Sequence, residues 1–252
     1  MNSLKTRLKS GETLIGSLVT LASPDVAEIM SLVGFDYLWI DTEHAPIDFV
    51  HSQMMIQAVG GRCPCIVRIP ENNEVWIKKA LDTGCDGIVV PQVKSAAEAR
   101  KAIEYSLYPP LGRRSVGISR AHGYGMSFQE YVGAANEKLT IVLQVEHIEG
   151  VQAIESILEV PGIDAILIGP FDLSGSLGVL GQITHPQVQD AMEEVRRHCE
   201  KADVPAGIFA VDAKSARGFI AEGYNLIALS TDSFYLWQSA KRALGEVRDK
   251  NV

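Results

Sequence analysis

Eight short apolar runs, separated by segments with helical patterning, recur at fairly even spacing and constrain the fold of this chain most strongly. Several of the intervening segments begin at a capping residue and end at a glycine. Strands that alternate with helices in this way form parallel sheets. We predict strands over Leu14–Leu18, Tyr37–Ile40, Ile66–Arg68, Gly87–Val90, Thr140–Val145, Ala165–Ile168, Ala206–Phe209 and Leu226–Leu229.

Eight strand–helix units in 252 residues have the length and rhythm of a TIM (β/α)₈ barrel of the α/β class. A doubly wound open sheet usually has fewer strands and a glycine-rich first turn, and no G-x-G-x-x-G motif follows the first predicted strand. No linker or low-complexity tract interrupts the pattern, so we predict a single domain over residues 1–252, with a last helix at Phe234–Val247.

Charge and composition exclude several classes of function. A net charge of −8 argues against nucleic acid as a partner, because phosphate binding needs clustered Lys and Arg. Residues 1–7 lack the apolar core of a signal peptide, and no apolar run is long enough to cross a membrane. Four cysteines are too few for a disulfide framework in a chain of this length. We therefore expect a cytoplasmic protein with neither a membrane nor a nucleic acid partner.

Two neighbouring strands end beside carboxylates. The run Ile141–Val145 is followed by Glu146, with Gln144 two residues before it, and the run Ala165–Ile168 is followed closely by Asp172. Parallel strands present their carboxyl ends at one edge of a sheet, so we expect the two acids to lie close together. Without thiolates beside them, they suit a hard cation such as Mg²⁺ or Mn²⁺.

Further polar residues follow other strands and are expected on the same face of a barrel. Asp41 and His44 follow strand two, and Arg68 ends strand three. Each has an ordinary structural explanation alone, such as a helix cap, a loop histidine or a salt bridge. It is improbable that such explanations hold together for these residues and for the acids at the other strand ends. A metal chelated by a 2-oxo acid would stabilise an enolate, whose oxygen Arg68 can hold. His44 is a candidate proton carrier, oriented by Asp41 or Asp82.

The ordered blocks of the sequence resemble the HpcH/HpaI aldolase family, whose members are class II, metal-dependent pyruvate aldolases. They act on 2-keto-3-deoxy sugar acids and 4-hydroxy-2-oxo diacids. The resemblance covers about Leu14 to Leu236 and is carried by Asp41–His44, Val67-Arg68, Val89–Val93, Tyr108–Arg114, Gln144–Glu146 and Ile168–Ser174.

The resemblance implies a role for each matching residue. It assigns Glu146 and Asp172 as metal ligands, for Mg²⁺, Mn²⁺ or also Co²⁺, and Arg68 as the contact of the pyruvate carbonyl oxygen. His44 belongs to the base. The remaining implied site residues are Asp41 and Asp82, as acids supporting the base, and Gln144, Gly169, Pro170, Phe171 and Ser174, as the pyruvate-binding set. The resemblance also implies a homohexamer, a trimer of dimers, whose final helix packs on a neighbouring subunit.

The chain departs from the family pattern at several positions. His147 follows the predicted metal ligand Glu146, either to support the metal ligands or to serve as a third imidazole near the metal, and Phe171 stands where an alanine is commoner. The loop Arg113–Tyr124 contains cationic residues that either hold an acidic or phosphorylated acceptor or form interface salt bridges. These departures concern the substrate more than the chemistry.

The leading hypothesis is a carbon–carbon lyase that reversibly cleaves a 4-hydroxy-2-oxo acid to pyruvate and an aldehyde. Related enolate chemistry, either decarboxylation or acyl-CoA cleavage as in citrate-lyase β-like proteins, is the first alternative. A non-catalytic barrel is the second, and the retention of Arg68, Glu146 and Asp172 argues against it.

Overall fold

Eight parallel strands close into a barrel in the computed structural model, which describes residues 3–248. Each strand pairs with its neighbours in chain order, and the last pairs with the first, so the predicted TIM-type fold is confirmed. The strands are β1 (Leu14–Val19), β2 (Tyr37–Asp41), β3 (Cys65–Arg68), β4 (Gly87–Val90), β5 (Thr140–Val145), β6 (Ala165–Ile168), β7 (Ala206–Ala210) and β8 (Leu226–Thr231).

The helices surround the strands as an outer layer. They are α1 (Leu4–Lys9), α2 (Pro24–Ser31), α3 (Phe49–Val59), α4 (Glu74–Asp82), α5 (Ala96–Ser106), α6 (Phe128–Lys138), α7 (Ile148–Gln152), α8 (Ile154–Leu158), α9 (Pro170–Ser176), α10 (Pro186–Lys201), α11 (Ala213–Ala221) and α12 (Asp232–Arg248). None of those within residues 3–248 is long and apolar enough to cross a membrane.

The apolar core has two layers, because successive side chains of a strand point to opposite faces. In β2, Tyr37 and Trp39 point into the barrel, while Leu38 and Ile40 pack against the helices. Gly16 of β1 leaves room for the Tyr37 ring, since a Cβ there would lie 2.5 Å from ring carbons. The interior is therefore packed, and function is confined to its rim.

Helix α12 is 17 residues long but buries a single residue, whereas the 16-residue α10 buries five. Asp232 is its one buried residue, and its carboxylate accepts the backbone N–H groups of Thr20 and Leu21 at 2.9 and 3.0 Å. Tyr235 is partly buried against the core, where its OH donates to the Leu229 carbonyl at 2.8 Å. The other large apolar side chains of the helix are exposed: Phe234, Leu236, Trp237, Leu244 and Val247.

Candidate active site

A buried ion pair joins the ends of β2 and β3. The strand register places Asp41 beside Arg68, whose Nε and Nη2 donate to the two carboxylate oxygens at 2.9 and 2.7 Å. Burial alone would lower the pKa of Arg68, but the hydrogen bonds and negative charge of Asp41 raise it, helped by Glu43 and Glu146. The barrel rim therefore holds a guanidinium that stays cationic and has a fixed orientation.

Asp41 also shapes the turn that follows β2. Its Oδ1 accepts the backbone N–H groups of Glu43 and His44 at 3.1 and 3.4 Å. The carboxylate therefore orients Arg68 and the turn, and not the His44 ring as predicted. The His44 side chain is 65% exposed, and its Nε2 lies 3.7 Å from Oε2 of Glu43.

Glu43 is a site residue that the sequence analysis did not assign. Its mostly buried carboxylate lies 3.2 Å from Nε of Arg68. Burial raises the pKa of Glu43 to about 7; Arg68 opposes this rise, while the charges of Asp41 and Asp172 add to it. The sequence does place Glu43 in the polar block that follows β2. It does not show which way the Glu43 side chain points, because that depends on the turn that Asp41 stabilises.

Glu146 lies buried just beyond β5 and is held from two sides. Its Oε1 accepts the backbone N–H of Gln92 at 3.0 Å, and Nε2 of Gln144 donates to its Oε2. Gln92 adopts a left-handed backbone conformation, with φ at 56°. Burial raises the pKa of Glu146 to about 7; these two hydrogen bonds oppose the rise, and the charges of Glu43 and Asp172 add to it.

Gly169 provides the space that Glu146 occupies. A Cβ at this position would lie 2.6 Å from Oε2 and 2.8 Å from Cβ of Glu146, and 3.1 Å from Nε2 of Gln144. Glycine is therefore needed at position 169, because any side chain there would collide with Glu146.

Helix α9 carries the second predicted metal ligand. Pro170 is its first residue, a position where the missing N–H costs nothing, and the exposed Asp172 lies in its first turn. Phe171 is 41% exposed beside it. Ser174 was predicted to contact pyruvate, but it is fully buried; its Oγ donates to the Phe171 carbonyl at 2.6 Å and accepts the N–H of Gly181 at 2.8 Å. Ser174 therefore fixes the α9 turn.

Two further predicted residues lie elsewhere or act differently. Asp82 ends α4, whose last turn lies near the amino ends of the strands, and it pairs with Arg114 at 3.1 Å. One chain therefore does not bring Asp82 to His44. His147 caps α7, since its Nδ1 accepts the N–H of Glu149 at 3.2 Å, and that lone pair is not free for a metal.

The arginine side chains of the loop between α5 and α6 contact other residues of the same chain. Arg113 lies 4.6 Å from the Tyr105 ring centre, and Nη1 of Arg120 donates to the Thr83 carbonyl at 2.7 Å. Together with the pairing of Arg114, these contacts support a structural role for the loop over recognition of an anionic acceptor.

The site carries more negative charge than its one arginine can balance. Asp41 neutralises Arg68, whereas Glu43 and Glu146 lie near each other and near the charge of Asp172, and within residues 3–248 no second arginine or lysine is among the charges that principally act on them. Oε1 of Gln144 is buried and has no hydrogen-bond partner within residues 3–248. Oxygen donors and uncompensated charge fit a hard divalent cation. In the same part of the chain, no group of three or more His, Cys, Asp or Glu side chains is arranged so that it could hold a metal ion.

Comparisons with known proteins agree with this geometry. Residues 15–239 match the family model described as HpcH/HpaI aldolase/citrate lyase. The hydroxypyruvate/pyruvate aldolase of Paraburkholderia phytofirmans is 37% identical, with 98% of each chain covered. The 2-keto-3-deoxy-L-rhamnonate aldolase of Klebsiella pneumoniae is 38% identical over 96% of this chain and 92% of the relative.

A solved structure shows the same fold throughout. An HpcH/HpaI aldolase/citrate lyase family protein from Burkholderia cenocepacia superimposes with a TM-score of 0.95 at 36% identity, covering 99% of this chain and 100% of the other. The sequence blocks, the barrel and the near-complete matches agree, and this chain belongs to the HpcH/HpaI aldolase/citrate lyase family.

Proposed function

We propose that this protein is an aldolase, a carbon–carbon lyase that reversibly cleaves a 4-hydroxy-2-oxo acid to pyruvate and an aldehyde. The observation that carries the proposal is the buried Arg68, fixed by Asp41, at the same rim as the acids Glu146 and Asp172. The aldolase relatives, which are 33–38% identical over nearly the whole chain, support it.

A divalent metal fits the two oxygen ligands of the site. Glu146 and Asp172 would hold it, and their carboxylates favour Mg²⁺, Mn²⁺ or Co²⁺ over softer ions. When bound, the metal supplies Lewis acidity toward the oxo acid.

The chain's own residues provide the remaining roles. Arg68 donates to the oxo oxygen and stabilises the negative charge that develops there, because its own charge persists at any working pH. His44 is exposed at the rim, where its imidazole takes the proton of the C4 hydroxyl. Glu43 lies between these two groups, 3.2 Å from Arg68 and 3.7 Å from His44, and positions the imidazole.

The direct test is pyruvate release from 4-hydroxy-2-oxo acids of different length, coupled to NADH oxidation by lactate dehydrogenase. We expect turnover that chelator abolishes and Mg²⁺, Mn²⁺ or Co²⁺ restores, and that Arg68→Ala lowers by about 10²–10³-fold, the usual effect of removing one oxyanion donor. Cleavage of an acyl-CoA substrate without pyruvate release would contradict the assignment.

We further propose that the protein is a homohexamer, a trimer of dimers, in which α12 packs on a neighbouring copy. The support is the helix itself: Asp232 and Tyr235 attach it to the chain's own barrel, while five large apolar side chains, from Phe234 to Val247, are exposed. Exposed apolar surface of this extent on one helix is typical of an interaction site.

A further inference from the structure

The guanidinium of Arg68 has a planar face as well as a hydrogen-bonding edge, and the structure holds both. Asp41 takes the edge through Nε and Nη2. The guanidinium carbon lies over the indole of Trp39, 5.1 Å from the ring centre. Nη1 makes no hydrogen bond within residues 3–248 and is the donor left for substrate.

Both contacts come from the same face of one strand. Trp39 and Asp41 are two residues apart in β2, so their side chains point in the same direction, and Arg68 approaches from the neighbouring β3. Trp39 is only 2% exposed and packs in the barrel interior with Leu18 and Ile66, so its ring cannot turn away. The guanidinium is therefore held by two hydrogen bonds to Asp41 and by a buried aromatic ring beneath its central carbon.

Over residues 3–248, the indole N–H of Trp39 does not stabilise the fold through a hydrogen bond. Nε1 is buried and has no hydrogen-bond partner within the described residues. An unpaired buried N–H is unfavourable, and a phenylalanine would provide a ring face without it. A substitution of Trp39 by phenylalanine therefore keeps a ring beneath the guanidinium and removes no hydrogen bond that stabilises the described part of the fold.

We propose that Trp39 is a positioning residue that holds Arg68 at the height required for the oxo oxygen of the substrate. The inference rests on the proposed aldolase function, in which Arg68 contacts that oxygen. Preorganised donors are effective because they need no rearrangement as charge develops, so loosening the guanidinium lowers kcat more than it raises KM.

The test compares Trp39→Phe with Trp39→Leu, each in the wild-type chain and in Arg68→Lys. We expect Trp39→Leu to lower kcat for pyruvate release about 10-fold or more and Trp39→Phe to retain kcat within about 3-fold, since Phe preserves the ring face. In Arg68→Lys, which has no planar guanidinium, the two variants should show similar kcat values. Equal losses in Trp39→Phe and Trp39→Leu, or an undiminished Trp39→Leu effect in Arg68→Lys, would overturn the proposal.

A second readout does not require activity. In a chain carrying Trp76→Phe and Trp237→Phe, Trp39 is the one remaining tryptophan. We expect Arg68→Met to change its emission maximum and lifetime, while Lys101→Met, far from Trp39 on α5, leaves them unchanged. Unchanged emission in Arg68→Met would show that the stacking is absent. If the wild-type protein released no pyruvate while Arg68→Met still changed the Trp39 emission, the result would count against the proposed function and not against the contact between Trp39 and Arg68.

Discussion

The pKa values of Glu43 and Glu146 are determined by burial and neighbouring charges more than by the residue type. Both are buried among other acids, and both have a pKa of about 7, whereas the pKa of Asp41 is lowered against its burial by Arg68. Asp41 is therefore the counter-ion of the arginine, whereas Glu43 and Glu146 keep their protons to a higher pH than an ordinary glutamate.

The pair of Asp41 with Arg68 yields the first prediction. Asp41→Asn removes the counter-charge of a buried guanidinium, and Glu43 at 3.2 Å replaces only part of it. We expect kcat to fall about 10²-fold and the free energy of unfolding to fall by about 1–3 kcal/mol. Urea denaturation and pyruvate release measure the two effects. Asp48→Asn, at the exposed cap of α3, is the control and should leave kcat unchanged; equal kcat in both variants would contradict the assigned role.

The raised pKa of Glu146 yields the second prediction. Between its ordinary pKa of 4.5 and about 7, the folded metal-free protein keeps a proton that the unfolded chain releases. The free energy of unfolding therefore falls as pH rises through that window, and Mn²⁺ should oppose the fall by binding the ionised carboxylate. Glu43 contributes a slope of the same sign in the same window. We therefore expect Glu146→Gln to reduce the slope by about half and to abolish the Mn²⁺-induced rise in Tm.

Thermal unfolding at pH 5–8, with and without Mn²⁺, measures both effects. At about 100 times its Kd, Mn²⁺ should stabilise the wild-type protein by about 2.7 kcal/mol. Glu149→Gln, on the exposed first turn of α7, is the control and should behave as the wild type. A full Mn²⁺ response in Glu146→Gln would rule out this residue as a ligand.

The sequence identified the acids that follow directly after strands but not the orientation of residues one step farther along the chain. Glu146 and Arg68 lie at the predicted rim because strand direction places them there. Glu43 was missed, and the roles of Asp41 and Ser174 were wrong, because each depends on a turn whose hydrogen bonds form only in the folded chain.

At the scale of elements, the β6–α9 junction depends on a residue without a side chain. Gly169→Ala would place a Cβ 2.6 Å from Oε2 of Glu146, so the carboxylate must shift. We predict a loss of about 1–3 kcal/mol in the free energy of unfolding, as for overpacked sites, and weaker Mn²⁺ binding. Urea denaturation and metal titration provide the measurements.

The matched control is Gly218→Ala in α11, where a Cβ meets no atom within 4 Å. It should stabilise the protein by about 0.5–1 kcal/mol, because alanine favours helix. If Gly169→Ala retained wild-type Mn²⁺ affinity, the close packing at Glu146 would be irrelevant to the site.

Strands were easier to predict than helices, for a physical reason. All eight predicted strands are present, since fully buried strands read as continuous apolar runs. Helices leave weaker patterns here: α1 and α9 are short, and few α6 residues face the core. The segment between β5 and β6 holds two short helices, α7 and α8, interrupted at Ala153, whose ψ is 3°.

At the scale of the whole molecule, α12 poses the question of assembly. Its apolar pattern is the same whether it covers its own barrel or a neighbour's, so the sequence alone cannot decide between them. The structure adds that the helix is anchored to its own barrel at Asp232 and Tyr235, while Phe234, Leu236, Trp237, Leu244 and Val247 are exposed.

Trp237→Glu therefore yields a prediction about association. A charge on the exposed apolar side of α12 should prevent packing on a second copy, because its desolvation is unfavourable. We expect light scattering after size exclusion to give six times the chain mass of 27.4 kDa for the wild type and a smaller species for Trp237→Glu. Gln238→Glu adds the same charge at an exposed polar position and should keep the wild-type mass. A wild-type monomer would refute the exchange of α12.

The central claim is that this barrel forms the enolate of pyruvate at Arg68 and the paired carboxylates. Deuterium incorporation into the methyl group of pyruvate in D₂O, followed by NMR, tests it without any choice of aldehyde. We predict exchange that requires Mg²⁺ or Mn²⁺, stops with chelator and is lost in Arg68→Ala and Asp172→Ala. No exchange in the folded, metal-loaded wild-type protein would contradict the account.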